Sequence, residues 1–381
     1  MALILLFLLS LVISNIKCQN FGRFFNNFDR ISDSKQLLDH YDFIVIGAGS
    51  GGSVVANRLS ENSNWTVLLL EAGWDENFFT DVPLMATLQT ITAYNWGYRG
   101  EKIKTACLGA VEGRCNLARG KALGGTSVIN FLIYSRGNRH DFDEWESLGN
   151  PGWGYKDILP FFIKSENCRE CKEIDRRYHG FDGPLSIEHP GYESPMAKSF
   201  IKAGIDMGYK NVDLNAYNET GFSKVQSTMR HGTRCSASKA FLKPVKNRPN
   251  LFISTQSQVT KILIDPKTKT AHGVEFRKKN IKYIVRARKE IILSAGTFNS
   301  PQLLMLSGIG PKEHLEELNI PVVQDLKVGF NLQDHTALST LAFLVNESIT
   351  ISDISVQNPW DVFNYIWSGK GPLHYLVVPK L

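Results

Sequence analysis

Gly47, Gly49 and Gly52 follow directly on the apolar run Tyr41 to Ile46, and a carboxylate, Glu71, stands some 20 residues beyond them. Residues of these types at this spacing suit one chemistry, the binding of a dinucleotide. The first glycine permits a tight turn, the second lets backbone approach a pyrophosphate, and the third lets the next helix pack against the strand. Ser50 and Gly51 lie between them, where unpaired N–H groups at a helix start meet phosphate charge. Glu71 would accept hydrogen bonds from a ribose diol. On this fingerprint alone the ligand is FAD or NAD.

These residues need particular elements to hold them. Tyr41 to Ile46 reads as a central parallel strand covered on both faces. A helix follows through Val54, Val55 and Leu59, and a second strand, Thr66 to Leu70, delivers Glu71. Glycine triplets also occur in plain turns; here strand, glycines, helix, strand and acid come in the order a βαβ unit requires. A second glycine-rich stretch begins at Arg119, "RGKALGGTSVINFLIYSRGNRHDFDEW". Its Gly124, Gly125, Thr126 and Asn130 form a loop rich in backbone donors and polar side chains, suited to wrapping a polar cofactor. Further on, "EIILSAGTFNSPQLLMLSGIG" repeats the logic. Ile291 to Ser294 reads as strand, Ala295 and Gly296 as turn, and Pro301 as the first position of a helix.

At these residues the chain resembles the glucose-methanol-choline (GMC) family of FAD-dependent oxidoreductases, and within it the secreted animal glucose-dehydrogenase-like members. Gly120 to Asp143 and Gly296 to Gly310 carry the two long motifs. "NWGY" at Asn95 to Tyr98, "RCSASKAFL" at Arg234 to Leu242 and "VGFNLQDH" at Val328 to His335 agree as well, so the likeness runs from about Tyr41 to Pro372. The resemblance implies FAD as cofactor and an α/β fold: a Rossmann-like FAD-binding domain with a mostly parallel sheet, and an interleaved, incomplete α+β substrate domain. It implies that Gly47, Gly49, Gly52 and Glu71 hold the ADP half, that Gly124, Gly125, Thr126 and Asn130 lie along the pyrophosphate and flavin side, and that Val259 meets the adenine part through its backbone. Trp96 and Arg119 join the cofactor-binding set on the same ground. The implied reaction is oxidation of CH–OH groups of alcohols or sugars by hydride transfer to flavin, with a quinone or oxygen as acceptor.

Alcohol oxidation also needs a base near neutral pKa, the natural role of histidine. Nine histidines occur, at 40, 140, 179, 189, 231, 272, 314, 335 and 374. None falls in the family's base motif, which the resemblance places in a C-terminal segment beyond Leu381, and His335 within "NLQDH" is the nearest exception. The expectation is therefore a fragment that binds cofactor and has no catalytic residue of its own. A non-catalytic, flavin-binding short isoform is the alternative, and an NAD-dependent dehydrogenase the third reading.

The 381 residues suffice for about two domains, with 43% hydrophobic content and a formal charge of +6. The FAD-binding domain is expected over 41–155 and 225–330, and the partial substrate domain over 156–224 and 331–381. The basic cluster Arg277 to Lys289 reads as the solvated face of a hairpin; it has no aromatic interleaving, so a nucleic-acid partner is not expected. Residues 1–18 read as a secretory signal peptide, too short in apolar residues to span a bilayer, which predicts a secreted protein without a membrane partner. Six cysteines occur at 18, 107, 115, 168, 171 and 235. Cys107 with Cys115 is a candidate disulfide in an oxidising compartment. Cys168 and Cys171 have CxxC spacing without a second ligand pair, so no metal site is expected. Sequons stand at Asn218 and Asn346, and a weaker one at Asn64.

Overall fold

The computed structural model describes residues 30–34, 36–169, 175–335, 346, 358–368 and 371–374; the expected signal peptide and Cys171 lie outside them. The main elements are β1 (His40–Ile46), α1 (Ser50–Leu59), β2 (Val67–Leu70), α2 (Arg139–Ser147), α3 (Tyr155–Ser165), β3 (Glu166–Cys168), β4 (Leu185–Ile187), α4 (Pro195–Asp206), β5 (Leu251–Ser254), β6 (Ser257–Ile264), β7 (Ala271–Lys278), β8 (Ile281–Leu293), α5 (Gly296–Leu306) and α6 (Pro359–Ser368).

Six strands form one sheet in the order β6-β7-β8-β1-β2-β5. The β8/β1, β1/β2 and β2/β5 pairs are parallel, while β6/β7 and β7/β8 are antiparallel. β1 is buried on both faces, as its unbroken apolar sequence requires. Phe43 and Val45 face one core with Ala56 of α1 and Leu69, whereas Ile44 and Ile46 face a second with Val259, Val274 and Phe276. The thirteen-residue strand β8 serves both halves. Ile281 to Arg286 pairs with β7, and Arg286 to Leu293 runs beside β1. Its basic hairpin turns at Lys279 and Asn280, both at positive φ, the backbone of a two-residue turn matched to strand twist.

β5 and β6 are consecutive in sequence yet lie at opposite ends of the sheet order. The meander therefore folds over the parallel strands. Glu71 N–H donates to Ser254 and Ser257 N–H donates to the Glu71 carbonyl, at 2.9 and 2.8 Å, pinning the start of β6 to the end of β2.

Two details differ from the sequence reading. Thr66 lies outside β2 and instead caps the strand edge, its N–H and hydroxyl both donating to Asp42 Oδ2. Pro301 is not the first residue of its helix but its sixth, since α5 starts at Gly296 immediately after the Ser294–Ala295 turn. There it offers no N–H to the carbonyl of Thr297, one turn earlier.

Residues between α2 and β5 are held by a buried charge network. Glu166, with a fully buried side chain, accepts from Arg136 Nη2 at 2.7 Å and from Gly180 N at 2.8 Å. His179 bridges Glu166 and Asp213 at 3.0 and 2.8 Å. Burial opposes the charged imidazole, but its two carboxylate partners outweigh this and raise its pKa to about 9. Glu166, Cys168 and His179 also cluster closely enough to suggest a metal site. Cys168 is disulfide-bonded and the other two are paired with each other, so the cluster is structural.

The histidine pairing sets a direction for stability. Its folded pKa lies above the ordinary 6.5, so its contribution is complete below that value and is lost as pH rises through about 9. Denaturant midpoints measured from pH 7 to 10 should fall in that window, and Glu166→Gln should flatten the fall. Glu166→Ala, which leaves Arg136 and His179 buried without their shared carboxylate, should destabilise by about 3–5 kcal/mol.

Candidate dinucleotide site

The two glycine-rich loops meet. Ala48, between Gly47 and Gly49, donates its N–H to Glu71 Oε2 at 2.9 Å. Its carbonyl accepts from Gly124 N at 2.7 Å and from Ser53 Oγ at 2.8 Å. Gly125 adopts φ +55° with its backbone against Gly49, and a side chain there would press to 2.7 Å from Gly49 Cα. Gly52 faces Gly47, whose carbonyl would lie 1.9 Å from any added Cβ. No side chain caps the start of α1, so its first N–H groups have no acceptor within the helix.

Beside this junction lies a cavity of about 520 Å³, within the usual range for cofactor clefts. Gly47, Gly49, Ser50, Gly51, Glu71, Trp96, Arg119, Gly125, Thr126 and Val259 line it. Three predicted residues do not. Gly52 is buried beneath the loop, where it sets the helix-to-strand distance. Gly124 is buried against Val128 and the backbone of Ser238. Asn130 is engaged through its side chain, its Oδ1 accepting from Arg234 Nη1 at 2.8 Å. At Val259 the β6/β7 register slips before Lys261, which interrupts the regular ladder at the cavity wall.

Glu71 is 6% exposed. Burial is the main influence on it and drives its pKa up to about 7, against the opposing amide hydrogen bonds from Ala48 and Gly73. Phe298 and Asn299, which the sequence reading did not single out, join Trp96, Tyr98 and Arg119 in the lining. Tyr98 stacks on Trp96 at 5.7 Å and donates to Asn299, and the Arg119 guanidinium lies 4.7 Å from the Phe298 ring centre. Phe298 and Asn299 belong to "SAGTFNS", so the turn after β8 carried the signal. The Cys107–Cys115 disulfide closes the hairpin that joins Tyr98 to Arg119.

A buried ionic cluster lies behind the second loop, and the sequence reading gave it no role. Arg234, 0% exposed, donates from Nε to the Thr80 carbonyl at 2.8 Å and from Nη1 to the Ser127 carbonyl at 3.0 Å. Lys239 Nζ pairs with Asp81 at 2.5 Å and donates to the Arg234 carbonyl at 2.9 Å. Burial lowers the Arg234 pKa to about 10 and raises that of Glu76 to about 7. Among the histidines, His179 is fixed in its ion network and His335 is exposed; none lines the cavity.

A βαβ unit with open helix amides, a glycine cradle and a buried carboxylate at the next strand end defines a dinucleotide-binding protein. The family model described as GMC oxidoreductase matches residues 41–337, and the chain belongs to that family. It is 47% identical over 307 residues to "Glucose dehydrogenase [FAD, quinone]" of Drosophila pseudoobscura pseudoobscura, covering 80% of this chain and 49% of that protein. It is 41% identical to an oxygen-dependent choline dehydrogenase of Rhizobium etli, covering 77% and 52%. A solved FAD-dependent oxidoreductase from Chaetomium thermophilum superposes with a TM-score of 0.77 at 31% identity, over 88% of this chain and 60% of that one. The chain thus spans about half the length of the two sequence relatives.

Two neighbouring glycines should respond differently to a methyl group. Gly52→Ala should destabilise by about 2–3 kcal/mol, because the Gly47 carbonyl cannot give way without moving β1. Gly51→Ala has open space around its added Cβ and should fold normally, yet weaken ADP binding several-fold by filling the cradle. Thermal melts with and without ADP separate the two effects.

Proposed function

We propose that this chain holds FAD in the cavity beside the joined glycine loops, as part of a flavoprotein that oxidises CH–OH groups of alcohols or sugars. The observation that carries this reading is the pairing of uncapped α1 amides with Glu71 at the end of β2. The amides suit a diphosphate and the carboxylate suits a ribose diol. Gly47, Gly49, Ser50, Gly51 and Glu71 would hold the ADP half, with Val259 beside the adenine. Gly125 and Thr126 would border the pyrophosphate, and Trp96 and Arg119 would contribute further lining; Asn130, expected along the flavin side, lies off that lining. Bound flavin would supply hydride acceptance from the alcohol carbon, with electrons passing on to a quinone or oxygen.

The chain's own residues bind and orient. The cavity lining contains serine, threonine, glutamate and arginine but, among the described residues, no histidine suited to take the hydroxyl proton. Retention of flavin without robust turnover is therefore the expected behaviour of these 381 residues. Secretion accords with the Cys107–Cys115 disulfide and with the exposed positions of Asn218 and Asn346, since disulfides persist in oxidising compartments.

Titration with FAD and with NAD, followed by flavin fluorescence and absorbance, tests the reading. Saturable binding of FAD without comparable binding of NAD supports it; the reverse preference overturns it. The pH dependence follows from Glu71. Ribose hydroxyls donate to the ionised carboxylate, so binding lowers a pKa that stands at about 7 in the free protein and releases a proton. FAD affinity should accordingly fall as pH drops from 8 to 6, and Glu71→Gln should remove most of that dependence while weakening binding about tenfold or more.

A further inference from the structure

Thr255 and Gln256 form the crossover between β5 and β6, and its shape decides where one wall of the cavity stands. Ser257, Gln258, Val259 and Thr260, the first residues of β6, line the cavity together with Glu71. On one side the crossover is tied to the end of β2. Gln256 N donates to the Gly73 carbonyl at 2.9 Å, and Ser257 N to that of Glu71 at 2.8 Å. Gln256 adopts φ +50°, a conformation that residues with side chains seldom take and that persists where the surroundings fix it.

Residues 30–34, which precede the stretch matched by the family model, supply the other tie. Ser34 N donates to the Ile253 carbonyl and Ser34 Oγ accepts from Ile253 N, both at 3.0 Å, which covers the edge of the last strand of the sheet. Asp33 Oδ1 accepts from Thr255 N at 2.6 Å and from Thr255 Oγ1 at 2.9 Å, and its Oδ2 pairs with Lys278 Nζ at 2.8 Å. Lys278 Nζ also donates to Ser254 Oγ at 2.8 Å and to the Thr255 carbonyl at 3.0 Å, so all three of its donors are used. Lys278 belongs to the basic cluster expected to be solvated, yet its side chain is only 18% exposed and turns to the end of β5. Neither Asp33 nor Lys278 lines the cavity.

We propose that Asp33 and Lys278 are positioning residues, a clasp that fixes the β5–β6 crossover and through it the wall that receives the adenosine half of the dinucleotide. The inference rests on the reading of Glu71 as the carboxylate that holds the ribose; the nucleoside then borders Ser257 to Thr260. It assigns a binding task to a segment before β1 and to a lysine of the hairpin.

ADP binding to the full chain tests the clasp, measured well below every melting temperature so that each variant is fully folded. Asp33→Ala and Lys278→Met should each weaken ADP binding about fivefold, the worth of a single hydrogen bond. The double variant should lose less than the two single losses combined, because both changes break the same ion pair. Unchanged ADP affinity in the folded variants would show a merely structural role and overturn the proposal, as would losses that add in full. If Asp33→Ala fails to fold, Asp33→Asn decides, since it keeps an oxygen for Thr255 but no charge for Lys278: unchanged ADP affinity overturns the assignment. A wild-type chain that binds neither ADP nor FAD overturns the dinucleotide reading and this inference together, whereas ADP binding with indifferent variants overturns only the clasp.

Discussion

The peptide group of Ala48 is the point on which the site depends. Its N–H is committed to a carboxylate at the end of the next strand and its carbonyl to an amide of a loop more than seventy residues further on. Through these bonds the first turn, β2 and the second glycine loop become one rigid unit. The bonds also decide which amides are left over. Ala48 is spent internally, so the N–H groups that follow it at the start of α1 are the ones free to meet an anion. Glu71 serves both purposes at once, holding the loop from behind with one oxygen while its carboxylate borders the cavity. That double use explains how a buried acid is tolerated there: the desolvation that pushes its pKa up is partly offset by amide donors.

The other walls arrive from distant sequence, and a single strand brings much of the material. β8 starts in the antiparallel meander, ends beside β1 in the parallel sheet, and then turns at Ser294 into the residues that face Trp96 and Tyr98. Ser294 Oγ donates to the carbonyls of Ile46 and Gly47, so the turn after β8 is registered against the turn after β1. The cavity is therefore bounded at the carboxyl ends of parallel strands, where open α/β sheets place their ligands.

Much of this arrangement was legible in the sequence because it is local. A strand, a glycine turn, a helix and an acid at fixed spacing leave few alternatives, and Tyr41 to Ile46 announced burial on both faces through its unbroken apolar run. Pro301 misled because a helix-start preference was read where the turn at Ser294–Ala295 had already begun the helix. Asn130 was expected along the cofactor, but its hydrogen bond with Arg234 could not be read, since the two are 104 residues apart. The Phe298 wall was hidden for the same reason. The contacts of Arg119 with the Phe298 ring and of Tyr98 with Phe298 and Asn299 are tertiary, made across about 180 and 200 residues of sequence.

Two buried charge clusters look alike in composition and differ in consequence. Around Glu166 the ionic groups answer one another: Arg136, His179 and Asp213 fill the available partners, and the result ties Arg136, the start of β3 and Asp213 together away from the cavity lining. Around Arg234 the accounting is incomplete. Its Nη2, Glu76 Oε2 and Ser238 Oγ have no hydrogen-bond partner among the described residues, and the cluster abuts the loop that borders the ligand site through Ser127 and Asn130. Hydrogen bonds from Arg234 to the Ser127 carbonyl and Asn130 Oδ1 tie this cluster to the second glycine loop, whereas the network at Glu166 makes no contact with the cavity lining among the described residues.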